Sequence, residues 1–568
     1  MHVKTTRRKR GDKTYEYLSL VESVRVDGKN THRTLLRLGE VTALRASGEL
    51  ERVITALENH LQRDQITVAA MSAEEPRIVG STAAIAAVWE RLGLDVWFTT
   101  QGADRGAELL SEAVFAMVAN RLIDPCSKRQ LVEWVERDVA MPDGWAPPSL
   151  NQYYRSLDAV AEAKEATETE LYARLCDLTN MDLSMVCYDL TSTYFEGDPR
   201  PSDRFPSKAF GYSRDMRSDR PQVVIGLLCT GDGIPIAHHV FAGNTADSST
   251  LPEVLKDLAD RFCVGNITVV ADRGLITAAN VEETGANGFD HILATKLHRD
   301  VKCGEALQLV EADGVTWVEV PAANSRAAEV CLADGTRAVV VESDERLRRD
   351  TARTAELVER TETKLLGLEE RVRAGRLKDP AKIGRAAQRI LGGSGVARLF
   401  ELEIGDGRFL YHYNDPAQDY EEQLAGRYVL TTSLTVAQAS TARILTAYRQ
   451  LLHVESRFRT LKDFLHLRPV RHWTEQRVKG HIAVCVYAAV VEILIGKTLA
   501  AAAVEDPDID GQDLSAQRAL RDLGRVRQVT ITASGRNIGL ITRRSPLQTR
   551  ILAALDVDTR GWDTARVA

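Results

Sequence analysis

The sequence predicts an α/β protein built on a sheet of mixed strand direction. Between Asp182 and Leu297, short apolar runs of strand length alternate with stretches of helical spacing. Strands are predicted at Ser184–Leu190, Gln222–Thr230, Ile234–Phe241, Asn266–Asp272 and Asp290–Lys296. A helix over Ser249–Phe262 separates the third from the fourth, and a shorter one near Thr277–Thr284 separates the fourth from the fifth. Three strands in succession, then helix, strand, helix and strand, is the order of a mixed sheet.

The elements on either side follow in order. The first forty residues alternate like short strands around a turn at Asp27–Gly28, and Lys4, Arg7, Arg8, Lys9, Arg10, Lys13, Arg25, Lys29, Arg33 and Arg37 outnumber the acids there about two to one. This cluster is either a solvated hairpin surface or an arm that contacts phosphates. From Ala107 to Ala166 the apolar positions turn to helical spacing, with helix starts at Ser127 and Ser149; a plain bundle and a helix-turn-helix-like reader both fit. Beyond the sheet region, Ser343 begins a helix with heptad-spaced Leu347, Thr351, Thr354, Val358, Thr361, Leu365, Leu368 and Val372, and Asp379-Pro380 opens a second. Together they read as a helical hairpin, a solvated structural arm. Strands return at Leu399–Ile404, Phe409–Tyr413 and Arg427–Leu434. A strong helix covers Thr441–Leu465 and a more apolar one runs from Glu475 to about Ala502. The tail holds a strand near Val529 and a short helix near Leu547–Leu555.

A chain of 568 residues exceeds one compact domain. Its apolar fraction of 44% and charged fraction of 27% are ordinary for a globular protein. A net charge of −7 argues against nucleic acid only if charge is spread evenly, and here the basic residues are local. Eight cysteines stand singly with no Cys-x-x-Cys pair, which disfavours a zinc site or a disulfide framework and fits a reducing cytoplasm. The basic start has no apolar stretch behind it, and the run Ile482–Val491 is shorter than a bilayer span of about 20 residues. The expectation is a cytoplasmic protein with no membrane partner.

The residues that carry chemistry are acids at strand ends. Asp189 closes Met185-Val-Cys-Tyr-Asp, and Asp272 closes Ile267-Thr-Val-Val-Ala-Asp. Either one alone is an ordinary loop cap. Two from one sheet reach a common edge, where paired carboxylates repel unless a cation lies between them; oxygen ligands of this kind suit Mg²⁺ or Mn²⁺. On the Thr441–Leu465 helix, Ala447, Leu451, Val454, Phe458, Leu461 and Leu465 form a core stripe. Tyr448, Glu455 and Lys462 recur every seven residues on one narrow face beside it, with Arg459 bordering. Such a face is either an ion-pair ladder or the edge of a site.

Taken together, Tyr188-Asp189-Leu-Thr-Ser192, Gly243-Asn-Thr-Ala-Asp247, Val270-Ala-Asp272-Arg-Gly274 and Tyr448…Glu455…Lys462 resemble the DDE transposases of bacterial insertion sequences, in the branch whose RNase H-like core is split by a long, partly β-stranded insertion. The resemblance covers about residues 105–500. Asp272 follows Asp189 by 83 residues and Glu455 follows Asp272 by 183, room enough for such an insertion. One position departs: where the family signature has Arg three residues after the Tyr, this chain has Leu451, and Arg459 or Arg449 would have to supply the charge.

The resemblance implies a division into a basic N-terminal segment and linker (1–100), a helical DNA-binding region (101–175), the first part of an RNase H-like core (176–300), an α+β insertion (301–437), the second part of the core with the Glu455 helix (438–505) and a C-terminal region (506–568). It implies that Asp189, Asp272 and Glu455 hold two Mg²⁺ or Mn²⁺ ions for in-line attack on phosphorus. Element-end cleavage and joining to target DNA would follow at that one site, in a chain acting as a homodimer on double-stranded DNA. Tyr448 and Lys462 inherit contacts to phosphates near the cleaved end; Lys208, Arg214, Arg217 and Arg220, with Arg7, Arg8, Lys9 and Arg10, are candidate backbone contacts. A DNA-binding protein without catalysis, and an RNase H-like nuclease that never joins strands, remain as alternatives. Carboxylate pairs also serve glycosidases, which the strand order and basic loops disfavour.

Overall fold

Each apolar run between residues 184 and 294 forms a strand in the computed structural model, which describes the chain except for residues 12, 27–28, 61–70, 106, 180–183, 198–204, 263–266, 276, 296–300, 312–314, 506–513, 534–535, 564–565 and 568. The strands are Met185–Tyr194, Gln222–Thr230, Pro235–Ala242, Thr268–Ala271 and Asp290–Ala294. The turn at Asp27–Gly28 and the strand ends at Asn266 and Lys296 lie outside the described residues. Met185–Tyr194 runs parallel to Thr268–Ala271, which runs parallel to Asp290–Ala294; Gln222–Thr230 and Pro235–Ala242 add on antiparallel. The direction is mixed, as the element order requires.

Side chains alternate across a strand. Val186, Tyr188 and Leu190 enter an apolar core with Val254, Leu255 and Leu258 of the helix Leu251–Phe262. Cys187 and Asp189 therefore take the other face, against which the helix Leu451–Arg459 packs. The second helix, Ala278–Ala286, begins where Thr277 accepts a hydrogen bond from the Asn280 backbone N–H at 3.1 Å.

The sheet extends beyond the sequence expectation. Arg427–Thr432 pairs with Asp290–Ala294, Arg337–Glu342 pairs with Arg427–Thr432, and Ser325–Cys331 and Trp317–Val320 complete a nine-stranded sheet. Three of these strands, and the helix Val301–Val310, were not read from the sequence. Within the stretch 301–437 expected as the insertion, the chain leaves the sheet at Ser343. It returns at Gly426, whose carbonyl accepts the Ser343 backbone N–H at 3.0 Å. Between those points stand the helices Asp344–Arg373 and Pro380–Gly392, the strand pair Phe400–Gly405 and Arg408–Tyr413, and the helix Asp415–Leu424. Leu365, Leu368, Val372, Ile383, Ala387, Phe400 and Phe409 give this arm a core of its own.

The single long helix expected over Thr441–Leu465 is three pieces: Thr441–Arg449, Leu451–Arg459 and a π-helical turn over Thr460–Phe464. Its heptad spacing runs unbroken through the joints, so periodicity gave no warning.

The helical region begins earlier than expected. Gly80–Arg91 and Leu94–Arg105 precede Leu110–Ile123, Lys128–Arg137, Leu150–Glu162 and Lys164–Thr179, so the stretch read as a linker is partly helical. Ser127 and Ser149 each close a capping box, with Gln130 and Gln152 respectively. Leu110–Ile123 is buried around nearly its whole girth and forms the core of the bundle. The helix Glu475–Glu505 packs on Leu150–Glu162 and Leu110–Ile123. Residues Glu475–Ala503 are long and apolar enough to cross a membrane, with mean hydropathy 2.0, which the shorter run read from the sequence did not show; 83% of the apolar window is buried within the protein.

Met1–Pro76, with Gln528–Arg543 and Arg560–Ala568, forms a separate compact unit. It contains the antiparallel sheet His2–Arg10, Lys13–Val26 and Lys29–Glu40, followed by the helices Val41–Ala46 and Glu49–His60. Strands from the tail, Arg527–Ala533 and Arg536–Ile541, pair with one another and the first also pairs with Met71–Ala73, so the C-terminal region is not a module of its own.

Candidate functional site

Parallel pairing sets Tyr188 against Ala271 and so delivers the next residues, Asp189 and Asp272, side by side, on strands about 4.8 Å apart. Burial pushes the Asp189 carboxyl up to about 7, although the Leu190 backbone N–H donates to it at 2.7 Å; the carboxylates of Asp272 and Glu455 add to the rise and the Arg214 guanidinium opposes it. Asp272 and Glu455 are exposed. The Tyr448 hydroxyl donates to Asp272 Oδ1 at 3.3 Å. Burial, and then the Asp272 charge, raise the Tyr448 phenol well above its ordinary value, so it stays a donor.

Glu455 owes its place to the fit of its helix. The turn after Gln222–Thr230 comes so close that a Cβ on Gly233, whose φ is +76°, would lie 2.7 Å from the His453 Cβ. On the other side Arg457 reaches Glu492 of the helix Glu475–Glu505 at 3.2 Å.

Among the described residues no three His, Cys, Asp or Glu side chains already stand as a metal cage. The donor set nevertheless fits a hard divalent cation: three carboxylates, no sulfur or imidazole, and a repulsion at Asp189 that a dication would relieve.

The basic residues named from sequence are mostly engaged. Arg214 Nη2 donates to Asp247 Oδ1 at 2.6 Å, while its backbone N–H donates to Ser192 Oγ at 3.1 Å. Gly243, four residues before Asp247, touches the Gln222 and Ala209 carbonyls where a Cβ would lie within 2.3 Å of each. Arg217 pairs with Asp219 at 2.8 Å, Arg220 lies 3.9 Å from Glu196, and Lys208 sits 5.5 Å from the Phe195 ring centre. Lys462 donates to Asp215 Oδ1 at 2.7 Å, and Arg468 binds the same oxygen. In the separate N-terminal unit, Arg7, Arg8, Lys9 and Arg10 lie on a fully exposed strand, with Arg7 paired to Glu16 at 2.7 Å.

The family model of the transposase DDE domain matches residues 186–491, more than half of the chain, and that of the IS1634 family transposase N-terminal domain matches residues 3–71. The chain belongs to the DDE transposases. No curated protein matches it. A solved piggyBac transposase synaptic complex with hairpin DNA is similar over 73% of this chain and 70% of its own, at 10% identity and a TM-score of 0.34. A Mos1 transposase paired-end complex with left transposon end is similar over 30% and 54%, at 14% identity and a TM-score of 0.15.

Membership makes this an insertion-sequence DNA transposase, whose DDE domain implies dependence on a divalent metal. In the transposase, Leu451 is buried, as its place in the helix stripe predicted. Arg449 is committed to the Ala323 carbonyl, whereas exposed Arg459 makes no ion pair among the described residues. Three residues near the acids were not assigned from sequence: Asp247, Asp215 and Tyr428. Asp247 had a signal, since it ends a motif; Asp215 and Tyr428 had none, because their partners lie elsewhere in the chain.

Proposed function

We propose that Asp189, Asp272 and Glu455 are the catalytic acids of this transposase and that they hold two Mg²⁺ or Mn²⁺ ions. One observation carries the reading: the strand register that sets Asp189 beside Asp272 also leaves Asp189 facing the helix of Glu455, whose charge it feels. Ions held there would activate a water or a DNA 3′-hydroxyl for in-line attack and stabilise the leaving oxygen. The chain's own groups do the rest. Asp189, half-buried and with its carboxyl raised, is the acid whose charge a bound cation would favour most. Tyr448 holds Asp272 in place through its hydroxyl. Arg214, fixed by Asp247, sets a positive charge beside the acids where a phosphate would arrive.

The core on this reading is RNase H-like, and the substrates are the element's terminal inverted repeats and target DNA, bound by a homodimer in the cytoplasm. Tyr448, Arg459 and Lys462 lie toward the cleaved end; Lys208, Arg217, Arg220 and the Arg7–Arg10 strand contact backbone elsewhere. Asp272→Asn keeps the shape of the side chain and loses the charge that holds a cation. We expect it to abolish Mg²⁺-dependent nicking and joining of labelled element-end DNA while specific end binding persists. Retained cleavage by this variant would remove Asp272 from the mechanism.

A further inference from the structure

The insertion arm is more than a strut. The first half of its long helix, Asp344–Arg373, lies outside the arm's own core, and it turns Arg346, Arg349 and Arg353 to a cleft of about 650 Å³ that also contains Asp272, Tyr448 and Arg398. Arg346 pairs with Asp350 at 3.2 Å, and Arg398 pairs with Glu421. Arg349 and Arg353 are exposed and have no carboxylate partner among the described residues. Four residues apart on one helix, they repel each other at a cost of a few tenths of a kcal/mol. Their spacing along the axis is about 6 Å, similar to the step between successive phosphates of one strand.

The cleft is joined to the acids. The Arg346 guanidinium lies 5.0 Å from the Tyr428 ring centre, the Tyr428 and Tyr448 rings are 5.7 Å apart, and Tyr448 donates to Asp272. Two guanidiniums without an ion-pair partner among the described residues therefore face the space beside Asp272, where a polyanion cut at that acid would have to pass.

We propose that this cleft seats the DNA backbone flanking the cleavage point, with Arg349 and Arg353 each neutralising one phosphate. The proposal deepens the reading of Asp272 as a catalytic acid and rests on it. The test uses the full chain and the element's end as a duplex, either unmodified or with neutral methylphosphonate linkages flanking the junction. Neutralising two phosphates contributes about 1.8 to the log–log salt slope, so R349A/R353A should flatten the slope by about that much. Arg371 and Arg373, exposed at the far end of the same helix, serve as the control: R371A/R373A should keep the wild-type slope. Methylphosphonates at the junction should weaken binding of the wild type and not weaken R349A/R353A further. A wild-type slope in R349A/R353A, or equal sensitivity of both proteins to methylphosphonate, overturns the proposal. Unchanged thermal melting of the variant separates loss of contact from loss of fold. Cleavage by D272N would instead sink the assignment of the acid, and the salt slope would still decide the cleft.

Discussion

Asp215 shows how much rests on one side chain. Its carboxylate is 2% exposed and takes Lys462, itself 10% exposed, together with the more open Arg468. Burial lowers the Lys462 ammonium from its ordinary value, and Asp215 opposes that fall. Removing one partner of a buried pair leaves an uncompensated charge, at about 3–5 kcal/mol. Asp215→Ala should therefore lower the unfolding free energy, read from a denaturation curve, by an amount near the lower end of that range, since Arg468 is open to water. The double variant with Lys462→Met should recover much of the loss. A single variant within about 0.5 kcal/mol of wild type, the scale of an exposed pair, would show that solvent screens the contact. The outcome also bears on Lys462 as a DNA contact: a lysine engaged by Asp215 reaches a phosphate only by giving up that pair.

At the scale of elements, the close approach of the Gly231–Gly233 turn to the helix Leu451–Arg459 sets where Glu455 sits. Gly233→Ala would place a non-glycine residue in the left-handed region, at about 1–2 kcal/mol, and press its Cβ on His453, adding about 1–3 kcal/mol. Cleavage should fall more than end affinity does; equal losses in both would mean that the turn supports the fold generally. Local elements were legible wherever the signal was local. Ser127, Ser149 and Thr277 stood out as helix starts, and Gln222–Thr230 as a continuous apolar run. Asp189 and Asp272 were legible because each ends such a run. What escaped was partnership across distance: Lys462 meets a residue 247 positions away, and nothing in Trp317–Val320 or Ser325–Cys331 announces a place in the central sheet. The bundle helices Gly80–Arg91 and Leu94–Arg105 escaped because neither sets a clear apolar stripe against a polar face.

For the molecule as a whole, a net charge of −7 coexists with a strand, His2–Arg10, that is basic and exposed on both faces. The Arg7–Glu16 pair is too open to water to cancel that charge. Replacing Arg7, Arg8, Lys9 and Arg10 by Ala should flatten the salt dependence of binding and weaken element-end and random duplexes alike, because phosphate contacts carry no sequence information. A wild-type slope in this variant would leave the strand a solvated surface.

The pairing of Tyr188 with Ala271 has a consequence of a different kind. Strand positions are counted, not adjusted: a shift of one residue turns every side chain to the opposite face. One residue inserted between Met185 and Asp189 would aim Asp189 at the apolar layer under Leu251–Phe262. The neighbourhood of the two acids is thus inherited as an integer, kept whole or lost whole.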